Sequence, residues 1–251
     1  MDNISAANSA NALGKPLLGS VAIVTGGSRG IGKAIARHLA ALGAAVGICG
    51  RDKEKLIITT RELEAAGANV FSLPADVTRE PEVLSFVAET EKRFGGVTIL
   101  VNNAGTGGGG FGAIQEKSVA EWDLVINTNL KSVFIVSRAV IPGMIQRRGG
   151  DIINISSLAG KNTFAGGGVY CASKWGLQGL SGCMAEDLRA YGIRVSVICP
   201  GSVATDFTGR GPKDAAKVLT ADDVAHAVAM VAIQGPQSFI SEVQMRPVTK
   251  P

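Results

Sequence analysis

Val21-Ala22-Ile23-Val24-Thr25-Gly26-Gly27-Ser28-Arg29-Gly30-Ile31-Gly32 carries an unbroken apolar run into a glycine-rich turn and out into a helical pattern. A strand buried on both faces reads as a continuous apolar run, not as an alternating one. Glycines at the turn let the backbone approach a pyrophosphate. The start of the following helix supplies amide donors and the positive end of its dipole. A bare glycine pattern also fits a tight turn that binds nothing. Its placement between strand and helix favours the phosphate reading.

The alternation continues outward. Apolar runs at Ala45–Cys49, Val70–Leu73, Val97–Val101, Asp151–Ser156, Ile193–Cys199 and Phe239–Met245 read as further strands. Amphipathic stretches at Ile31–Leu42, Lys53–Ala66, Pro81–Phe94, Ser118–Gln146, Tyr170–Tyr191 and Ala221–Ile233 read as helices, with one or more in the fourth. Strand and helix in this order predict an α/β fold, a Rossmann-type doubly wound parallel sheet of about seven strands with helices on both faces. With 251 residues the chain suits one domain, expected over residues 20–251. Residues 1–19, rich in Asn, Ala and Ser and without a basic start or apolar centre, read as a flexible tail and not as a signal peptide.

Composition narrows the function. The net charge is a modest +4, and no basic run is interleaved with aromatics, so nucleic acid is not an expected partner. Cys49, Cys171, Cys183 and Cys199 form no CxxC pair, and His38 and His226 stand alone, so no metal site is expected. No apolar run of the sequence approaches membrane-spanning length, and a cytoplasmic, reducing location is expected.

The chemistry gathers around Tyr170-Cys171-Ala172-Ser173-Lys174. On a helix a four-residue step puts Tyr170 and Lys174 on one face. A tyrosine with its ordinary pKa of about 10 is a poor base near neutrality, but a fixed ammonium beside it favours the phenolate. The pair predicts a proton donor tuned toward physiological pH, suited to reversible carbonyl reduction. A surface lysine on an amphipathic helix is the bland reading of the same spacing.

Further motifs decide between them. Thr25-Gly26-Gly27-Ser28-Arg29-Gly30-Ile31-Gly32, Asn102-Asn103-Ala104-Gly105 after the fourth strand, Asn129, Ser157 thirteen positions before Tyr170, and Pro200-Gly201-Ser202-Val203-Ala204-Thr205 after the sixth strand occur in order. Over about residues 18–205 the chain resembles the short-chain dehydrogenase/reductase family. The resemblance implies that Tyr170 exchanges a proton with the substrate oxygen. Lys174 would lower the tyrosine pKa and hold the nicotinamide ribose. Ser157 would orient the substrate oxygen, and Asn129 would hold a water in a proton relay. Ser157 as a loop cap and Asn129 as a helix-bend residue are the plainer alternatives. Cofactor contacts are expected from Gly26, Ser28, Arg29, Gly30, Ile31, Gly32, Arg51, Asp76, Val77, Asn103, Ala104, Gly105, Tyr170, Lys174, Pro200, Gly201, Val203 and Thr205.

Charge at the end of the second strand selects the cofactor. NAD-dependent relatives place an acid there to accept from the ribose 2′-hydroxyl. Here Cys49-Gly50-Arg51 offers none, while Arg51 and Arg29 suit a 2′-phosphate, so NADP is expected. Asp52 complicates this unless it caps a helix.

Within the family the chain is most like 3-oxoacyl-acyl-carrier-protein reductases of fatty acid biosynthesis, which implies a 3-oxoacyl thioester as the carbonyl substrate. Pro142 and Tyr191 stand where those enzymes carry carrier-docking arginines, and the ending Met245-Arg246-Pro247 lacks their glycine-rich tail. A CoA-linked or small ketone is therefore the alternative substrate, and a non-catalytic dinucleotide binder the alternative class. Phe111, Leu158, Phe164 and Phe207 are candidate pocket residues beside the flexible run Gly107–Gly110. Residues 208–217, with Arg210, Lys213 and Lys217, are short for the family's lid and read as a solvated loop, with contact to an acidic partner as the alternative. A homo-oligomer, tetramer or dimer, is expected through the helices at Ser118–Gln146 and Tyr170–Tyr191, with Ala139, Val140, Leu177, Leu180 and Met184 as surplus apolar residues.

Overall fold

The computed structural model describes residues 14–205, 207 and 217–249. Seven strands, β1 (Val21–Thr25), β2 (Ala45–Gly50), β3 (Val70–Pro74), β4 (Ile99–Asn102), β5 (Gly150–Ile155), β6 (Ile193–Pro200) and β7 (Glu242–Met245), form one sheet in the order β3-β2-β1-β4-β5-β6-β7. Every pairing is parallel. Between the strands run α1 (Gly30–Ala41), α2 (Lys53–Ala65), α3 (Glu80–Phe94), α4 (Val119–Ile126), α5 (Ser132–Arg147), α6 (Gly168–Arg189) and α7 (Ala221–Ala232). The strand order reverses direction between β1 and β4, and such a sheet opens its ligand crevice there, at the carboxyl ends of its strands.

Two apolar layers cover the sheet. On one face Ile35 and Leu39 of α1, Leu56 and Leu63 of α2, and Val224 and Val228 of α7 share an apolar cluster with Val24 of β1, Val46 and Ile48 of β2, Ile153 of β5 and Ile198 of β6. On the other Phe86 of α3, Val136, Val140 and Met144 of α5, and Met184 and Leu188 of α6 pack on Ile23, Leu100 and Ile152. Each fully buried side chain of this size is worth about 1.5–3 kcal/mol, so both faces of β1 are locked in register. The helices are cut by local signals. Asp52 accepts from Lys55 N at 3.1 Å and caps α2. Ser118 with Glu121 and Thr220 with Asp223 make capping boxes at α4 and α7. Arg148, left-handed at φ 54°, ends α5.

Three expectations are corrected. The stretch expected to be tail up to residue 19 is docked from residue 14 onward: Leu17 is buried, and its N–H donates to Leu42 O at 2.9 Å. Residues 1–13 lie outside the described residues. The helical region at 118–146, expected to hold one or more helices, holds two α-helices joined by a π-helical turn, Asn127–Lys131, and it is the expectation of no stretch near membrane-spanning length that changes. Together they make a 29-residue helical run, Val119–Arg147, long and apolar enough by length and composition to cross a membrane. Half of its most apolar window is buried inside the fold, because α5 supplies one wall of the core. Charged residues scattered along the run hide it from a search for unbroken apolar sequence. Lastly, Val140, Leu177 and Met184 are not surplus but buried, Val140 and Met184 in the apolar layer on the sheet.

Candidate active site

The glycine turn is built for close approach. Gly26 and Gly30 have φ of 65° and 54°, a region that favours glycine. A Cβ on Gly32 would lie 2.2 Å from Gly26 O, so the first turn of α1 packs directly on the loop. The turn after β4 is stitched to it. Thr25 Oγ1 accepts from the N–H groups of Asn103 and Ala104, both at 3.0 Å, and Asn103 Nδ2 donates to Thr25 O at 2.9 Å. Thr59 of α2 donates to Ser28 O at 2.8 Å and steadies the loop from the other side. Asn102 points elsewhere, into a buried chain in which its Nδ2 donates to Asn154 Oδ1 at 2.9 Å and Asn154 Nδ2 to Ser181 Oγ at 2.8 Å.

A cleft of about 1330 Å³ opens at the carboxyl ends of the strands. Every expected site residue except Asn129 lines it. One end holds Arg29, Arg51, Asp52, Lys55 and Asp76. Asp52 is committed to its own helix. Besides capping α2 it pairs with Lys55 Nζ at 3.1 Å, and hydrogen bonds from Lys55 hold its carboxyl below the usual range. For Asp76 burial pushes the pKa up, but hydrogen bonds from the Thr78 N–H and hydroxyl outweigh it, Arg51 adds to them, and the net direction is down. Lys55 is a cation of this end that sequence reading passed over; its place one helical turn beyond Asp52 was the available signal. Val77 is buried behind Asp76.

At the other end stand Ser157, Tyr170 and Lys174. The Ser157 hydroxyl lies close enough to Tyr170 to pull its pKa down. Ser157 Oγ also accepts from Ala159 N at 3.1 Å, so the residue caps its short turn as well as facing the cleft. Lys174 Nζ donates to Ile155 O at 2.8 Å and lies 5.9 Å from the Tyr170 ring centroid. The expected lowering of the tyrosine pKa by this ammonium is not found. Burial pushes Tyr170 up to about 12 and Lys174 down to about 8. Both groups are removed from water, and desolvation of each charged form outweighs the pull of Ser157 on Tyr170 and of Cys199 on Lys174.

Asn129 stands apart. It sits in the π-helical turn, 1 % exposed, and its Oδ1 accepts from Thr106 N at 2.8 Å. Its Nδ2 donates to Thr106 O at 2.9 Å and to Ser173 Oγ at 3.1 Å. Its side chain therefore braces the loop after β4 against α6, one residue from Lys174. The segment after β6 closes the cleft from above: Gly201 N donates to Met245 O at 2.9 Å, Val203 bridges to Leu219, and the Thr205 methyl lies 3.6 Å from where a Gly30 Cβ would stand. Arg246, Pro247 and Val248, beyond β7, line the cleft too and were not anticipated. Phe111, Leu158, Phe164 and Phe207 line it as expected. Of the expected loop at 208–217, residues 208–216 lie outside the described residues.

Residues 20–216 match the family model described as short chain dehydrogenase. The chain belongs to the short chain dehydrogenase family. A Streptomyces violaceoruber protein named as a ketoacyl reductase of the granaticin polyketide synthase is 44% identical over 192 residues, which span 76% of this chain and 70% of that one. An uncharacterized oxidoreductase of Staphylococcus saprophyticus is 37% identical over 91% of this chain and 97% of its own length. Among solved structures, a metagenomic short-chain oxidoreductase in complex with NADP is 46% identical with TM-score 0.82, covering 93% of this chain and 99% of that one. An alcohol dehydrogenase of Thermococcus sibiricus complexed with 5-hydroxy-NADP is 30% identical with TM-score 0.86, covering 92% and 98%. This short chain dehydrogenase is thus an oxidoreductase acting on a small molecule, with the seven-stranded parallel sheet of its relatives.

Proposed function

We propose that this enzyme reduces a ketone to a secondary alcohol with NADPH, and that the ketone is a 3-oxoacyl thioester. The observation that carries the reading is the Ser157–Tyr170 hydroxyl pair, with Lys174 beside it, in the same cleft as the glycine turn.

The residues present fit a dinucleotide phosphate. The glycine turn and the first amides of α1 suit its pyrophosphate. Arg29, Arg51 and Lys55 surround Gly50, which offers no carboxylate, while Asp52 is held by Lys55. That charge pattern supports NADP over NAD, as do the NADP ligands of the two solved relatives. Asp76 and Val77 suit the adenine, Asn103, Ala104 and Gly105 the ribose side, and Pro200, Gly201, Val203 and Thr205 the nicotinamide. When bound, NADPH supplies the hydride.

The protein supplies the proton. Tyr170 Oη, protonated up to a pKa of about 12, donates to the carbonyl oxygen as it gains charge. Ser157 Oγ hydrogen-bonds the same oxygen. Lys174, with its pKa down to about 8, exchanges protons near ambient pH and can return one to Tyr170. Asn129 holds the adjoining loop and π-turn in place for that relay. A tyrosine that holds its proton suits reduction better than alcohol oxidation.

The name of the Streptomyces relative supports a ketoacyl substrate, polyketide-linked and not tied to fatty acid synthesis. A second reading, a free or CoA-linked ketone, is favoured by the exposed, uncharged Pro142 and Tyr191 where a carrier-protein dock is expected. The four cysteines are all free, which suits a reducing cytoplasm. A dimer or tetramer is part of the same proposal. The test is an NADPH-consumption screen over 3-oxoacyl thioesters, diketones, quinones and ketosugars. Turnover of thioesters above the other classes supports the assignment, and turnover confined to ketosugars or quinones overturns it.

A further inference from the structure

Tyr170 is ringed by phenyl groups. Phe111 and Phe207 meet its ring at centroid distances of 5.8 and 5.9 Å, each inclined by 63°. Phe164 meets Phe111 edge to face at 5.0 Å and 89°. Despite these ring contacts Phe111, Phe164 and Phe207 stay 37%, 44% and 38% exposed, and all three line the cleft. Water against three phenyl faces is unfavourable, and a flat apolar group would displace it.

The wall is fixed from behind. Phe111 follows Gly107-Gly108-Gly109-Gly110, whose last three residues have φ of 65°, 79° and 118°. Such a run has large backbone freedom, so the aim of Phe111 depends on what ties the run down. Gly108 N donates to Thr106 Oγ1 at 3.2 Å, and Lys117 Nζ donates to Gly110 O at 3.1 Å. Gly112 N donates to Gly166 O at 3.0 Å, joining the loop that bears Phe111 to the loop that bears Phe164. The Lys117 side chain is 16% exposed and is itself held by Glu121 at 3.0 Å.

Resting on the reading of the cleft as a carbonyl-reducing site, we propose that Phe111, Phe164 and Phe207 form a substrate subsite for a ketone carrying a flat apolar ring, an aryl or fused cyclic ketone, and that Lys117 is the positioning residue of its wall. Aromatic rings attract one another in offset or edge-to-face contact at centroid distances of about 4.5–7 Å, the range seen among these side chains. A rigid ring loses little freedom on entering such a slot, whereas a linear chain of equal carbon number must freeze several rotors.

The experiment compares 1-indanone with 5-nonanone, ketones of equal carbon number, by kcat/KM for NADPH oxidation in the full chain, with NADPH Kd measured separately by fluorescence titration. The expected result is roughly a tenfold or greater preference for 1-indanone, the size of a lost ring contact with its burial. Phe111→Ala and Phe164→Ala should bring the ratio to about unity through KM, with NADPH Kd unchanged. Lys117→Met should lower the ratio in the same way, through KM for 1-indanone, and Lys117→Arg should restore it. Equal kcat/KM for the two ketones in the unaltered enzyme, or a ratio that survives both phenylalanine substitutions, overturns the subsite. Reduction of acetoacetyl thioesters with neither ketone accepted also overturns it, while leaving the reductase reading intact. NADPH binding with no carbonyl reduced at all overturns the reductase reading and this inference with it.

Discussion

Tyr170 carries its proton as burial dictates, and this sets what its removal costs. Tyr170→Phe keeps the ring and its contacts with Phe111 and Phe207 while deleting the hydroxyl. We expect kcat to fall by about 10²–10⁴-fold, the usual scale of general acid catalysis, with NADPH affinity unchanged. Stopped-flow turnover and a binding titration read the two quantities, and kcat within threefold of the parent would remove Tyr170 from the mechanism. Lys174 makes a sharper test because stability and activity move oppositely. Its pKa falls from the ordinary value to about 8 on folding. Between that value and its unfolded pKa of about 10.4, the unfolded chain binds the extra proton, so this group makes stability rise with pH there. Below pH 8 the buried ammonium is a full cost. Lys174→Met should therefore abolish reduction yet raise Tm at pH 7, with each kcal/mol gained worth about 2–4 °C for a chain of this size. The gain should shrink as pH approaches 10. Calorimetry across that range checks it, and a lower Tm at pH 7 would mean that the bond to Ile155 O outweighs desolvation.

At the scale of elements, α1 and α2 together decide the cofactor. α1 presents Arg29 at its start, while the first turn of α2 follows Arg51 and turns Asp52 onto Lys55. Charge-assisted hydrogen bonds are worth about 1.5–3 kcal/mol each. Arg29→Ser with Arg51→Ser should thus weaken NADPH binding by at least tenfold and leave NADH binding level. Lys55→Met should do the same more weakly. Direct titration with each cofactor checks both, and an equal loss for NADPH and NADH would place these cations away from the 2′-phosphate. Much of this was legible in the sequence. The apolar run Val21–Thr25 matches β1 residue for residue, because a strand buried on both faces has no other apolar pattern to adopt. The role of Asp52 was left open and is settled by its bonds to Lys55. The π-helical turn was not legible, since it depends on a contact from Asn129 to Thr106, 23 positions away, which no local periodicity encodes. The pKa directions of Tyr170 and Lys174 were also hidden, because spacing on a helix reports proximity and not desolvation.

For the whole molecule the question is what covers the outer faces of α4, α5 and α6. Ala139, Val140, Leu177, Leu180 and Met184 read in the sequence as surplus, yet Val140, Leu177 and Met184 are buried within the chain, Val140 and Met184 against the sheet. The uncovered residues are larger: Val119 is 75% exposed, Trp122 42%, Leu124 44%, Phe134 48% and Trp175 50%. Apolar periodicity cannot separate a face turned to the sheet from a face turned to a second chain, because both demand the same residues. We propose that these exposed aromatics, on helices that also frame the active site, form an interface, since aromatics are enriched in the buried centre of protein–protein contacts. A second copy of this chain, meeting the same helices across a two-fold axis, would bury them and brace α6, which carries Tyr170 and Lys174. We therefore expect a dimer or tetramer by light scattering at micromolar concentration. Phe134→Glu with Trp175→Glu places charge in that contact and should give monomers. Neither residue lines the cleft. Activity should fall with dissociation and return in part when high protein concentration or sulfate restores the assembly, because the site geometry is held by the paired helices. A monomeric parent protein, or a monomeric variant of undiminished activity, would show that α6 holds Tyr170 and Lys174 in place unaided.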